Sequence, residues 1–260
     1  MRALVIRDFA SKYAASIMGV FWSVVNPLLL LAVFTFVFTA IFKIRLGTEP
    51  GFANNALYIF CGVLPWIAFQ ESVQRSATIL IDRKNLVTRV QFPSAVLPAS
   101  VVGSSLLGML IGLLVLLAVV VAVMGRIHAT ALLLPAIIIL QAFFTLGLAW
   151  FVSSANVFFR DMQQFVPVGL LVWMYGTPIF YSPSMVPDRI NMGSIELDHV
   201  RVFLTANPMH HMVACYRAVL LDGGLPPADN VLWLVVFCLA SLFVGWWVFS
   251  RGKTKFADVL

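Results

Sequence analysis

Few side chains in this 260-residue sequence are of the kinds that make or break covalent bonds, and those few are scattered. Asp and Glu together number 11 and His only 4. The densest group is Asp188, Glu196, Asp198 and His199, an acid–base or cation-holding set by type, but Pro183 and Pro187 break the segment that carries it. His210 and His211 are metal ligands by type. Adjacent residues on a helix point about 100° apart, however, and no acid lies beside them, so no metal is assigned. Cys61, Cys215 and Cys238 make an odd count without ligand spacing. Gly252-Lys253-Thr254 has the ending of a nucleotide-binding G-x-x-x-x-G-K-[ST] loop, but Trp247 stands where the first glycine belongs and no strand precedes it. The chain is expected to hold neither ATP nor a metal itself.

One charged pair sits where charge is expensive. Glu71, Gln74 and Arg75 lie near the end of a long apolar run, and Glu71 and Arg75, four apart, can pair on one helix face. Two readings stay open: a self-neutralising pair at the membrane interface, or a pore mouth that meets an anionic lipid headgroup. In the second, Arg7 and Lys12 on the preceding segment serve the same headgroup.

The elements that must position these residues follow from composition. The chain is 61% apolar and 11% charged, against about 25% charged in a soluble domain. One globule of this length cannot hide that much apolar surface, so lipid is the natural solvent. The net charge of +6 comes from basic residues between the apolar runs, which suits anionic lipid and not nucleic acid. A span needs roughly 20 apolar residues. The pattern predicts an all-α integral membrane fold with six transmembrane helices, at 27–42, 56–79, 96–124, 131–158, 165–180 and 231–249. No cleavable signal peptide precedes them. Eleven of the seventeen basic residues fall in the N-terminal arm, the loops after spans two and four, and the tail, which places both termini in the cytoplasm.

Ile6, Phe9, Tyr13, Ile17 and Val20 recur at helical spacing within 1–26, predicting an amphipathic helix in the interface plane. Asn26-Pro27 then reads as N-cap and first residue of span one. The stretch 181–229 is rich in proline. Within it Asn207-Pro208 repeats the capping device and Met209, Met212, Tyr216 and Val219 form a stripe. A helix lying on the outer leaflet and a re-entrant gate are equally compatible with it. Asp82 to Pro93 can form one short helix, either a solvated turn or a docking element. Trp66 and Phe69 share a face of span two, and Trp173 and Phe180 lie seven apart with Tyr181 following. Aromatic rings stack on the C–H faces of sugars, so these could line a passage for glycan, although most aromatics in such a chain simply pack or face lipid. Gly108 to Gly112 is a GxxxG extended by Ser104, a seam for close helix approach within or between subunits.

Four blocks carry a family resemblance. RDFASKYAASIMGVFWSVVNPLL (Arg7 to Leu29), LYIFCGVLPWIAFQESVQRSATILIDRKNLVTRVQFPSAVLP (Leu57 to Pro98), FFRDMQQFVPVGLLVWMYGTPIFYSPSMVP and NPMHHMVACYRAVLLDG resemble type-2 ABC exporter permeases for O-antigen, capsule and teichoic acid, most closely the O-antigen permeases. The resemblance implies a homodimer in the bacterial inner membrane, bound to two copies of an ATP-binding-cassette subunit that holds the ATP and Mg, and exporting undecaprenyl-diphosphate-linked polysaccharide. It further implies that 82–93 is a coupling helix with Arg83, Lys84 and Arg89 as polar contacts and Leu86 as apolar anchor, with Arg160 and Asp161 as a second contact. Asn207, Pro208, Met209 and Tyr216 then belong to a periplasmic gate. A capsule or teichoic acid permease is the near alternative. A membrane-embedded glycan-modifying enzyme is the distant one, and it would need clustered acids, bases or ligands at one membrane face. A secondary transporter would show inverted repeats and midplane ion-site residues, and neither is visible.

Overall fold

The computed structural model of the protein describes residues 1–12, 18–41, 52–89, 92–192, 195–198 and 201–259. Helix α1 (Arg2–Ser11) precedes α2 (Trp22–Thr35), which widens into a π-helical stretch at Phe36–Ile41. Helix α3 (Phe52–Asp82) leads through Arg83 into the short α4 (Lys84–Arg89), and α5 (Val96–Met124) runs back. Then come α6 (Leu134–Phe158) and α7 (Met162–Gly176). A small antiparallel hairpin follows, β1 (Arg189–Met192) and β2 (Ile195–Asp198), paired in the register Arg189 with Asp198. The chain closes with α8 (Arg201–Thr205), α9 (Pro208–Arg217), α10 (Ala228–Gly252) and α11 (Phe256–Val259).

Among the described residues four stretches, Asn54–Asp82, Val96–Met124, Ala129–Phe158 and Ala228–Lys255, are helical, long and apolar enough to cross a membrane. Twenty-nine residues make about 44 Å of helix, well beyond about 30 Å of hydrocarbon. Helix α3 is the axis of the bundle: 78% of its most apolar window is buried, against 17% for α10. That is why α3 tolerates Ser72, Ser76 and Gln70, which meet protein instead of lipid. Pro65 inside α3 removes one backbone donor. Beside it, Gln141 of α6 donates to the Pro65 carbonyl (2.9 Å) and accepts from the Tyr216 hydroxyl (2.8 Å). Gly125, at φ +70°, ends α5 in the left-handed turn that side chains disfavour.

Helices α6 and α10 touch backbone to backbone. A side chain on Gly147 would strike Ser241, and one on Gly245 would strike the Gly147 backbone. Ser241 fastens the seam by donating to the Phe144 carbonyl (2.8 Å). The GxxxG of α5 serves packing within the subunit: Leu64 of α3 fills the notch at Gly112, and Phe9 of α1 approaches Gly108.

Three sequence expectations are corrected. The helix of the first apolar run starts at Trp22, not at Pro27, so Asn26 is interior and Pro27 costs one hydrogen bond near the first turn; Phe42 lies outside the described residues. The fifth apolar run stops being helical at Gly176, four residues early, because Pro178 disfavours helical geometry at Thr177, which is extended. Helix α7 is therefore 15 residues, about 22 Å. Lastly, Ile6, expected on the apolar stripe with Phe9, faces outward from α1. Val5, Asp8 and Phe9 face the bundle instead, with Val5 seated where Gly103 leaves room. Tyr13 and Ile17 lie outside the described residues, and so do Val90 and Gln91 of the predicted 82–93 helix.

Candidate functional site

The bundle has two chemically distinct ends. At one, the last turns of α3, α6 and α10 and the first turn of α5 enclose a small second core of Leu80, Leu97, Val157, Phe249 and Phe256. Phe256 of α11 is its plug, with its ring 5.3 Å from Phe249 and 6.1 Å from Phe158. Helix α4 lies on this core through Leu86 and Val87, while Arg83, Lys84, Asn85 and Thr88 are exposed. Leu86, half-buried, seats α4 on its own chain, and the side chain of Arg89 lies outside the described residues. At the same end Phe159 is 70% exposed beside the exposed Arg160 and Asp161. Asn156, fully buried, binds the two loops together: it donates to the Ala77 carbonyl of α3 (2.8 Å) and accepts from the Gln163 amide of α7 (3.2 Å).

Where α1 crosses α3 the charges cancel. Arg75 holds both oxygens of Asp8 at 2.8 Å and reaches Glu71 at 3.4 Å, and Lys12 meets Glu71 at 2.6 Å. Two acids and two bases form one network. Burial holds the Lys12 ammonium below the ordinary lysine range, with Glu71 pulling the other way. Glu71 and Arg75 pair as their spacing of four allowed, and Lys12 and Asp8 join them. Lys12, Glu71 and Arg75 are engaged with one another and with Asp8, a residue that spacing alone did not single out. Arg7 stays exposed and, with Arg83, edges a cleft of about 300 Å³ floored by Leu4, Ile79 and Leu97.

The aromatic residues meet in the middle of the chain. Trp66, Phe69, Phe144 and Trp173 form an edge-to-face and stacked quartet, with centroids 5.2–6.4 Å apart. Trp66 and Phe69 are 1% and 0% exposed. Trp66 and Phe69, closed inside one chain, cannot line a passage between two, which corrects their expected role; Trp173 is half-buried. Phe180 is buried at 5%, while Tyr181 is half-buried and donates to the Tyr175 carbonyl (3.3 Å). On α7, Phe165 and Tyr175 are more than 60% exposed.

Asn207 caps α9, accepting from the Met209 amide at 3.0 Å, as its place before Pro208 predicts. The same side chain accepts from Trp173 Nε1 (2.8 Å) and donates to the Gly176 carbonyl and Thr177 Oγ1, so one residue joins the end of α7 to the start of α9. The stripe Met209, Met212, Tyr216 and Val219 is 0–2% exposed, and His211, Cys215 and Arg217 on other faces are buried too. Helix α9 is therefore inserted among α3, α6 and α10, and the reading as a helix lying on a leaflet is overturned.

Arg217 is a residue the sequence reading did not single out. It is 7% exposed and lies 3.5 Å over the Tyr58 ring. Its three nitrogens donate to the carbonyls of Tyr58 (3.3 Å), Pro178 (2.8 Å) and Ile179 (2.9 Å). The only advance signal was an arginine at the end of an apolar stripe beside a proline-broken corner. Of the acid cluster, Glu196 and Asp198 stand on β2 and Asp188 just ahead of β1, while His199 lies outside the described residues. Gly252 ends α10 packed against Ser154 and Phe256, with Lys253 and Thr254 in a following 3-10 turn.

Comparison with known proteins gives this architecture a context. A family model described as ABC-2 type transporter matches residues 1–221. The O-antigen export system permease protein RfbA of Myxococcus xanthus is 30% identical over 98% of this chain and 93% of its own. Two proteins of Klebsiella pneumoniae with the same description are 28% and 27% identical, each over 98% of this chain and 92% of their own length.

Proposed function

Since the chain belongs to the ABC-2 type transporter family, as a membrane permease and not an enzyme, we propose that its cargo is lipid-linked O-antigen polysaccharide. The observation that carries this is similarity over 98% of this chain to three O-antigen export permeases. A capsule or teichoic acid permease is the neighbouring reading.

In this reading two copies form the passage, in a bacterial inner membrane with both termini in the cytoplasm. The short α2 and α7 complete a six-span unit in the assembled dimer. Two copies of a separate ATP-binding subunit dock on the α4 end, where they hold the ATP and Mg. Their contacts are the exposed Arg83 and Lys84 of that end, with Arg89, and the Arg160-Asp161 corner. Leu86 and Val87 transmit the push into the second core, and Asn156 makes the α3–α4 and α6–α7 corners move as one. Arg7, on the exposed side of α1, receives the diphosphate of the undecaprenyl carrier beside Arg83. Lys12, Glu71 and Arg75 hold α1 in place for it.

Glycan passes along α7, where Phe165 and Tyr175 offer open rings. Asn207, Pro208, Met209 and Tyr216 fix the inserted helix that closes the far end. Rocking the α4 end shifts a balance between two conformations, so cargo moves by differential binding and no bond in it is broken.

The test is purification with the ATP-binding subunit encoded beside it, reconstitution, and titration with undecaprenyl-diphosphate-linked glycan. ATP hydrolysis is expected to rise with the glycan lipid, and Arg83→Glu with Lys84→Glu is expected to abolish the complex. Hydrolysis indifferent to the glycan lipid, or a chain that exports without any ATPase, overturns the proposal.

A further inference from the structure

The end of the bundle opposite α4 carries an open cleft of about 910 Å³, within the range of small-ligand sites. Separate stretches of chain converge on it: the start of α3 with Asn54 and Tyr58, the segment after α5 with Arg126 and His128, the turn at Ser182, and the π turn at Asp222. No single helix end accounts for it.

Its floor is Tyr58 under the Arg217 guanidinium. Each nitrogen of that guanidinium already donates to a carbonyl, so the floor brings a positive field but few free donors. The rim is mixed. Arg126 is exposed and can only donate; Asp222 is exposed and can only accept; Asn54 and Ser182 can do both. His128 Nδ1 has no hydrogen-bond partner among the described residues. Its ring rests against Gly223, where φ is +66° and any side chain would collide with the imidazole. Between these polar groups lie Met124 and Pro183.

The chemistry of the rim discriminates between ligands. A phosphate or diphosphate asks for donors alone and meets Asp222 as a like charge. A sugar ring presents several hydroxyls, each of which donates and accepts, around a C–H face that suits Met124 and Pro183. We propose that this cleft is a saccharide subsite that holds a short stretch of the glycan, by its hydroxyls, as it leaves the bundle. The inference rests on the reading above that the cargo is glycan and that this end faces outward; it adds the place where the emerging chain is held. Holding it there biases the glycan against sliding back while the α4 end resets.

The experiment uses the full chain with its ATP-binding partner in nanodiscs. The probe is the lipid-free polysaccharide released by mild acid from the parent organism's own lipopolysaccharide, with inorganic pyrophosphate as competitor. Saturable glycan binding is expected, weakened at least tenfold by Arg126→Ala and by Asp222→Ala, and indifferent to pyrophosphate. Both positions are exposed, so the variants are expected to melt with the parent and to keep basal ATP hydrolysis. No saturable binding to the parent complex, variants that bind as well as the parent, or displacement by pyrophosphate each overturn the inference. ATP hydrolysis that rises with lipid-linked glycan while the cleft fails to bind sugar sinks this inference and leaves the export reading standing; failure of that stimulation sinks the export reading itself.

Discussion

The two ends of this bundle neutralise buried charge by opposite means. At the α4 end, two acids and two bases from α1 and α3 compensate one another through side chains that are 11–34% exposed. At the other end the bonds to Arg217 come from carbonyl oxygens and a tyrosine face, at 7% exposure, with Asp222 as its acidic neighbour. Side-chain ion pairs near water are weak and salt-sensitive, because solvent screens them. Carbonyl dipoles fixed by a folded backbone are not screened, and they cannot let go without the corner at 177–181 unfolding. The α4 end is thus built to shift and the far end to stay.

The heaviest blow to this contrast should come at Arg217. Arg217→Leu strips three carbonyls of their donor, and hydrogen bonds to charged groups contribute about 1.5–3 kcal/mol each. We expect a loss of at least about 3 kcal/mol, read as a large fall in melting temperature in detergent. Arg217→Lys should not restore it, since an ammonium has no fork to reach Tyr58 and the Pro178-Ile179 pair together. A leucine variant that melts with the parent would erase the distinction between the ends.

Phe256→Ala comes next. It empties the plug of the second core at about 3–5 kcal/mol, and the loss should be local. Hydrogen exchange at 84–89 is expected to quicken while α9 stays protected, and Phe256→Leu should keep most of the protection. Equal quickening in α9 would mean that the ends are not independent. Asn156→Leu is a smaller probe, about 1–3 kcal/mol, since it leaves the Gln163 amide unpaired and takes the side-chain donor from the Ala77 carbonyl. In the reconstituted complex it should lower transport per ATP more than it lowers ATP hydrolysis.

The smallest effects belong to the ion network. Arg75→Gln and Glu71→Gln should each cost at most about 1 kcal/mol, and molar salt should remove most of that. For Lys12 the sign runs opposite to that of a simple salt bridge. Its folded ammonium sits below the ordinary value of 10.5, so the unfolded chain binds more protons there, and stability from this group rises with pH toward that value. A melting temperature that falls over the same alkaline interval in the parent but not in Lys12→Met would reverse the assignment.

Much of the fold was legible because lipid imposes a coarse rule. Runs such as Val96 to Met124 have no other stable solvent, so their helical state and approximate length follow from composition alone. Asn207 as a cap was readable from Asn before Pro, but the same pair misled at Asn26-Pro27, where the helix already runs from Trp22. The GxxxG at Gly108 announced close packing but not its partner, which proved to be Leu64 and Phe9 of the same chain. The aromatic residues misled because a ring that faces sugar and a ring that faces a core obey the same periodicity. Trp66 and Phe69 differ from Tyr175 only in what surrounds them.

Order along the chain therefore settled the membrane class, the helical elements and the family, since each depends on local composition and on blocks of neighbouring residues. Which charges cancel was decided only in three dimensions: Asp8 and Arg75 are 67 residues apart, and Arg217 and Tyr58 are 159 apart. Desolvation depends on every atom nearby and not on sequence neighbours. A buried guanidinium and a loop arginine therefore look alike until the chain has closed around one of them.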